Sequence, residues 1–331
     1  MLPVAELHMH IEGSMEAELV IALARRNGID LPTVDADELK ARYRFDDLQS
    51  FLDIYYANLA VLKTEEDFYD LGSAYLSRAA ASGVRRAEMF FDLQTHIQNG
   101  IPQEAVFSGF GAAIADATAA TGISADLILC FLRHLGGDAA TETLRAALPF
   151  RDRFIGVGLD SSELGFPPSL FVDAFDLARA EGLHRVAHAG EEAGPDYVWE
   201  ALDLLGVERI DHGNRAMEDA DLVARLRDEQ IPLTVCPLSN IALKTAPPEL
   251  ADHLLPVMLS EGLLVSINSD DPAYFGGYID DNFAAIQRQL QLSPAQLGTL
   301  AENSFTSSFL PEAQKEAYRL EVRKALDNDQ Y

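Results

Sequence analysis

The 331-residue sequence predicts an α/β protein folded as a (β/α)8 TIM barrel, with extra helices after the first strand and at the C-terminus. Three observations lead there. Eight short apolar runs, several rich in β-branched residues, alternate with longer stretches whose apolar residues recur every three or four positions. Eight strands favour closure into a barrel over an open doubly wound sheet. His, Glu and Asp also recur just after these runs, where barrels carry their reactive groups.

The elements follow in order. The first run leads into Leu7-His8-Met9-His10, the second is Arg86–Phe91, the third Ala125–Phe131 and the fourth Phe154–Leu159. The fifth to eighth are His184–His188, Glu208–His212, Pro232–Cys236 and Leu263–Ser269. Ala105–Ala120, Leu170–Glu181 and Ala220–Glu229 carry apolar residues at helical spacing between them. Residues 14–82 read as several helices, more than one crossover requires, and residues 293–331 as a helical tail. Ser293-Pro294 is a helix start, and Pro311 begins the next helix. No repeat, low-complexity segment or linker is visible, so one domain over residues 1–331 is expected.

Composition narrows the function. Hydrophobic residues make up 48% of the chain, and mean hydropathy is −0.01, which fits a soluble globular protein. The formal net charge of −28 is spread along the chain. Such a surface repels phosphate backbones and anionic lipid, so nucleic acid and membrane are not expected partners. No uninterrupted apolar window of about 18 residues suggests a membrane span. Met1–Ala5 lacks the basic start of a targeting signal. Two cysteines, Cys130 and Cys236, are too few for a disulfide framework and fit a cytoplasmic location.

Four strand ends carry residue types that bind and use a metal. His8 and His10 stand two apart, which on a strand puts both imidazoles on one face. His188 ends the fifth run, Gly190 permits a tight turn, and Glu191 follows. His212 ends the sixth run, and Asp270-Asp271 follow the eighth. Each signal has a plainer reading: a chance His-X-His, a helix-starting glutamate, a structural strand histidine, an Asp-Asp-Pro turn. Together, three histidines and one aspartate suit zinc better than magnesium or calcium, which prefer oxygen. One ion is expected, with water in the open position at a pKa of about 7.

These motifs, in this order and over nearly the whole chain, resemble the adenosine/adenine deaminases of the amidohydrolase superfamily. The resemblance implies zinc ligands at His8, His10, His188 and Asp270, and a proton donor to purine N1 at Glu191. It implies that His212 orients and activates the nucleophile and that Asp271 binds N7. Ile11-Glu12-Gly13 leans to the adenine branch: the adenosine branch typically has aspartate at Glu12, and one more methylene would push this carboxylate into ribose space. Phe91-Asp92-Leu93-Gln94-Thr95-His96 is similar to the Phe-Asp-Pro-Gln-Thr-His stretch of that branch, with Leu93 for proline. Cys236-Pro237-Leu238-Ser239-Asn240 and Asp271–Gly277 also look like it, and Asp160-Ser161-Ser162-Glu163 replaces a glycine-containing loop of the adenosine branch.

The expectation is a purine deaminase that converts adenine to hypoxanthine and ammonia. Adenosine and N6-substituted adenines are the enzymatic alternatives, and a metal-binding barrel with a signalling role is the non-enzymatic one. A binuclear amidohydrolase would need a lysine at the end of the fourth strand, which reads Gly158-Leu159-Asp160-Ser161. A cytidine-deaminase site needs Cys-X-X-Cys, which is missing. Homo-oligomerisation is left open. Arg133-His134 receives no chemistry, His184 a structural role, His253 a solvent-facing place in a helical stretch, and His96 a place in the loop after the second strand.

Overall fold

A computed structural model describes residues 2–328. Met1 and the last three residues of the expected tail, 329–331, lie outside the described residues. The eight runs form β1 (Val4–Glu6), β2 (Val84–Phe91), β3 (Ser124–Leu132), β4 (Gly156–Asp160), β5 (His184–Ala189), β6 (Arg209–His212), β7 (Leu233–Val235) and β8 (Val265–Ile267). They pair in parallel in sequence order. The fold is the expected (β/α)8 barrel.

Period-two alternation sorts the strand residues between two cores. Met89 and Phe91 of β2, and Leu127, Leu129 and Phe131 of β3, belong to the large apolar cluster shared with the surrounding helices. Phe90, Ile128, Cys130 and Val186 face inward and form a small separate cluster. Much of the remaining interior is polar. Glu88 is fully buried and pairs with Arg209 at 2.7 Å and with Arg86 at 3.1 Å.

The barrel closes between the chain after β1 and the chain after β8. Regular pairing of β1 ends at Glu6, earlier than the run into His10 suggests. Beyond it the Asn268 side chain accepts from the backbone N–H groups of Leu7 at 2.8 Å and His8 at 3.2 Å. The N–H of His10 then donates to Asp270 O at 2.9 Å, and the N–H of Asp270 donates to His8 O at 3.1 Å. Three expected metal ligands therefore lie on the closing seam.

The block after β1 folds as four helices: Ala17–Asn27, Ala36–Lys40, Leu48–Leu59 and Glu65–Ala81. Asp47 caps the third in a capping box with Ser50. That helix covers the C-terminal mouth of the barrel with Leu48, Phe51, Leu52, Tyr55 and Tyr56. In the tail, Ser293 caps the helix Pro294–Thr306, and Ser304 Oγ accepts from the N–H of Ala5 at 2.8 Å. Pro311 precedes the last helix, Glu312–Asp327. Among the described residues no helix is long and apolar enough to cross a membrane. Cys130 and Cys236 are both free thiols, and both are buried.

Candidate active site

Ligand atoms of His8, His10, His188 and Asp270 lie within 4.8 Å of one another. Asp270 Oδ1 is 3.4 Å from His8 Nε2 and 3.5 Å from His10 Nε2, and the Nε2 atoms of His10 and His188 are 3.2 Å apart. All four residues are buried. Crowded buried nitrogens and a carboxylate oxygen aimed at one point are what a small cation requires.

The far side of each imidazole supports this. Thr234 Oγ1 donates to Asp211 Oδ1 at 2.8 Å, so its free lone pair accepts from His8 Nδ1–H at 2.9 Å. That leaves a bare lone pair on His8 Nε2, which has no partner among the described residues. Asp211 also lies 3.8 Å from His188 Nδ1, and Asp160 lies 3.5 Å from His10 Nδ1. Carboxylates behind ligating histidines orient the rings and raise their basicity. Burial lowers the His188 pKa well below its ordinary value and His10 to about 4, so both rings are neutral. Burial also opposes charge on Asp270, but the neighbouring histidines outweigh it and hold this carboxyl well below its usual range. At His8 burial is the largest influence and opposes charge, but the charges of Asp270 and Asp211 with the hydrogen bonds to Asp270 and Thr234 together outweigh it and raise the pKa. A cation at this point would take over the role of that proton.

His212 Nε2 lies 3.7 Å from Asp270 Oδ2 and 3.6 Å from Glu191 Oε2. Burial first, then the charges of Asp270 and Glu163, raises Glu191 well above the ordinary glutamate range. Asp271 is raised in the same sense by burial and by Asp270. Glu191 Oε1, His212 Nε2 and Asp271 Oδ1 all lack a partner among the described residues. All three residues line the small cavity beside the ligand cluster.

The backbone is bent to make these approaches. His212 and Asp270 both adopt a left-handed φ of 65°, which is costly for a residue with a Cβ and is found mainly at functional sites. A Cβ on Gly13 would lie 1.9 Å from Asp271 Oδ1, so only glycine lets that carboxylate settle there. Gly190 has φ 71°, and a Cβ there would meet Val198 at 2.7 Å.

Glu12, His96 and His253 stand elsewhere than the sequence suggests. Glu12 is fully buried and does not line the cavity. Its Oε1 accepts from His96 Nε2 at 2.7 Å and from the N–H of Asp92 at 3.1 Å. His96 lies in a short helix, Leu93–Gln98, not a loop. His253 is buried at 4% exposure, not facing solvent. Arg133 is fully buried and donates to His188 O and Phe166 O, both at 2.5 Å.

Other residues of the site went unassigned in the sequence. Glu163 accepts from four consecutive backbone N–H groups, Gly190 to Ala193, at 2.7 to 3.0 Å, and so shapes the loop that carries Glu191. Ser239 Oγ donates to Asp270 Oδ2 at 2.5 Å. Asp92 and Asp160 line the cavity with Tyr55, whose hydroxyl donates to Asp92 at 3.2 Å. Burial raises Asp160 to about 7, and burial with the charge of Asp160 raises Asp92 well above its usual range. The rule that singled out His8 and Asp270 would have found this pair, since each ends an apolar run.

Fold and site together define a (β/α)8 barrel of the metal-dependent hydrolase kind, with a buried His/Asp cluster fit for a metal and ionisable side chains set around it. The family described as Adenosine deaminase matches residues 3–325, and the chain belongs to that family. It is 55% identical over 327 residues to an adenine deaminase of Streptomyces coelicolor, covering 96% of each chain. Among solved structures, an adenine deaminase from Arthrobacter aurescens superposes with a TM-score of 0.97 at 52% identity, over 99% of this chain and 100% of that one. An amidohydrolase from Burkholderia ambifaria, which has bound Zn, superposes at 0.91 with 30% identity, over 98% and 91%.

Proposed function

We propose that this chain hydrolyses the C6–N bond of adenine: water supplies oxygen to C6, and hypoxanthine and ammonia leave. The observation that carries this reading is the meeting of Glu191, His212 and Asp271 with the ligand cluster at one small cavity. The relatives named adenine deaminase support the same substrate.

His8, His10, His188 and Asp270 would hold one zinc ion, and that ion would supply a water-derived nucleophile at neutral pH. The protein's own groups do the rest. Glu191, kept protonated by its surroundings, gives its proton to N1 as electron density arrives there from the attack at C6. His212 stands between the ligand cluster and Glu191, where it orients the attacking oxygen. Asp271 holds N7 and turns C6 toward the cluster. Tyr55 and the Asp92–Asp160 pair form the wall open to the N3 and N9 edge. A free base presents an N–H there, which a carboxyl can accept. A nucleoside presents a sugar, which would have to displace that wall and the covering helix Leu48–Leu59. Glu12 acts through Asp92, whose backbone it holds.

The test is ammonia release from adenine, adenosine and N6-substituted adenines, with metal content measured on the same protein. Turnover of adenine with one zinc per chain is expected. Faster turnover of adenosine would overturn the free-base reading, and turnover of none would overturn the enzyme.

A further inference from the structure

We infer that His253, acting through Asn240, locks His212 in the tautomer that carries its proton on Nε2, so that His212 orients the attacking oxygen as a hydrogen-bond donor. The inference rests on the role proposed above for His212. It starts from a backbone group that has no alternative state. The N–H of Leu255 donates to His253 Nδ1 at 3.0 Å, so that nitrogen must present a lone pair. A neutral imidazole with a bare Nδ1 carries its hydrogen on Nε2. Burial lowers His253 to about 4, which keeps the ring neutral near pH 7.

His253 Nε2–H faces Asn240 Oδ1 at 3.4 Å. That contact decides which way the Asn240 amide points. With Oδ1 turned to His253, Nδ2 faces His212 Nδ1 at 3.2 Å and Thr245 Oγ1 at 3.4 Å. An amide N–H can only donate, so His212 Nδ1 must accept and Nε2 must carry the proton. The reversed amide fails at the far end. It would aim N–H groups at His253 Nε2 and call for a lone pair there. The His253 proton would then move to Nδ1 and collide with the Leu255 N–H.

The other side of His212 agrees independently. Its Nε2 has no partner among the described residues and is aimed between two carboxylate oxygens, Glu191 Oε2 at 3.6 Å and Asp270 Oδ2 at 3.7 Å. Asp270 is held ionised and can only accept, which gives His212 Nε2 a reason to carry hydrogen. Asn240 and His212 are fully shielded from solvent, so no water competes for these contacts. His253 is therefore a positioning residue. It touches neither substrate nor ligand cluster, and it sets which end of His212 carries hydrogen.

The test uses full-length protein with 15N-labelled histidine, zinc-loaded and metal-free, and long-range 1H–15N spectra. Eight histidines make assignment tractable, with His212→Asn identifying the His212 signals. In the wild type His212 should show a protonated Nε2 and a bare Nδ1. In Asn240→Asp an acceptor faces Nδ1, and the proton should move to that nitrogen. In His253→Ala the two tautomers should mix, with kcat falling about tenfold and KM changing little. His253→Gln, whose amide N–H can reach toward Asn240 Oδ1, should recover most of that loss. A wild-type spectrum with the proton on His212 Nδ1 overturns the inference even if no variant folds. So does a His212 tautomer unmoved by Asn240→Asp and His253→Ala. A wild type with Nε2–H that deaminates nothing would instead sink the proposed function and leave the tautomer standing.

Discussion

Glu191 and His253 show how one side chain's surroundings set its chemistry. Glu191 is buried beside Asp270 and Glu163, and both burial and charge favour its protonated form. Glu191→Gln keeps the shape and removes the transferable proton. We expect turnover to fall by about 10² or more with metal content unchanged, measured by ammonia release and metal analysis. Unchanged turnover would remove Glu191 from the acid's role. His253 makes a different prediction. Its pKa is about 4 in the folded protein against an ordinary 6.5, so below about pH 6.5 the unfolded chain binds a proton that the folded chain refuses. Stability is therefore lost as pH falls from about 6.5 towards 4. Between pH 7 and 5 this one group accounts for about 2 kcal/mol of that loss. Denaturant titrations of His253→Gln at both pH values should show a correspondingly smaller difference. An equal or larger difference would contradict the burial of a neutral ring.

The working elements are strand ends and the turns after them. The turn after β5 is held by Glu163, which reaches over from the segment after β4 to collect four backbone N–H groups in a row. A buried carboxylate receiving several N–H bonds is a strong clamp, because each bond is charge-assisted. Glu163→Gln leaves one end of that clamp with donors facing donors. The Glu191 loop should loosen, and kcat should drop about tenfold or more while the metal, held by His188 before the turn and by His8, His10 and Asp270 from other strand ends, stays bound. Loss of the metal together with activity would mean that Glu163 supports the whole site and not the loop. None of this was visible in the sequence, where Glu163 was only part of an unusual loop. Its bonds run to backbone groups 27 to 30 residues away, and backbone groups carry no sequence signature.

At the scale of the molecule, the ion position and the barrel seam coincide. His8, His10 and Asp270 meet where the chain after β1 joins the chain after β8, through few backbone bonds and the Asn268 side chain. A metal there would cross-link the first and last strands of the sheet and so stabilise the closed barrel by binding free energy. Chelation should lower the midpoint of thermal unfolding. Amide exchange should rise first at His10 and Asp270, and only later in β2 to β4. Uniform exchange across the barrel after metal removal would separate the ion from closure. The acidic surface adds to this picture: 53 acidic against 25 basic residues repel one another in the compact state, so the chain gains from a cation at its centre.

The candidate site residues were legible because a barrel puts the ends of its parallel strands on one rim. His8, His10, His188, His212, Asp270 and Asp271 could be picked out as polar residues ending apolar runs, and the order of those runs placed them on that rim. The helical additions were legible from spacing and from Ser293-Pro294. What folding alone decided is direction and company. Glu12 and Asp92 are both acidic residues near strand ends, yet one turns to His96 and the other lines the cavity. His253 stands in a stretch read as helical with its ring facing solvent, yet it is buried against Asn240 and the backbone of Leu255. A strand end is a one-dimensional property and survives in the sequence. Which lone pair faces which hydrogen depends on segments that are distant along the chain and adjacent only once the barrel has closed.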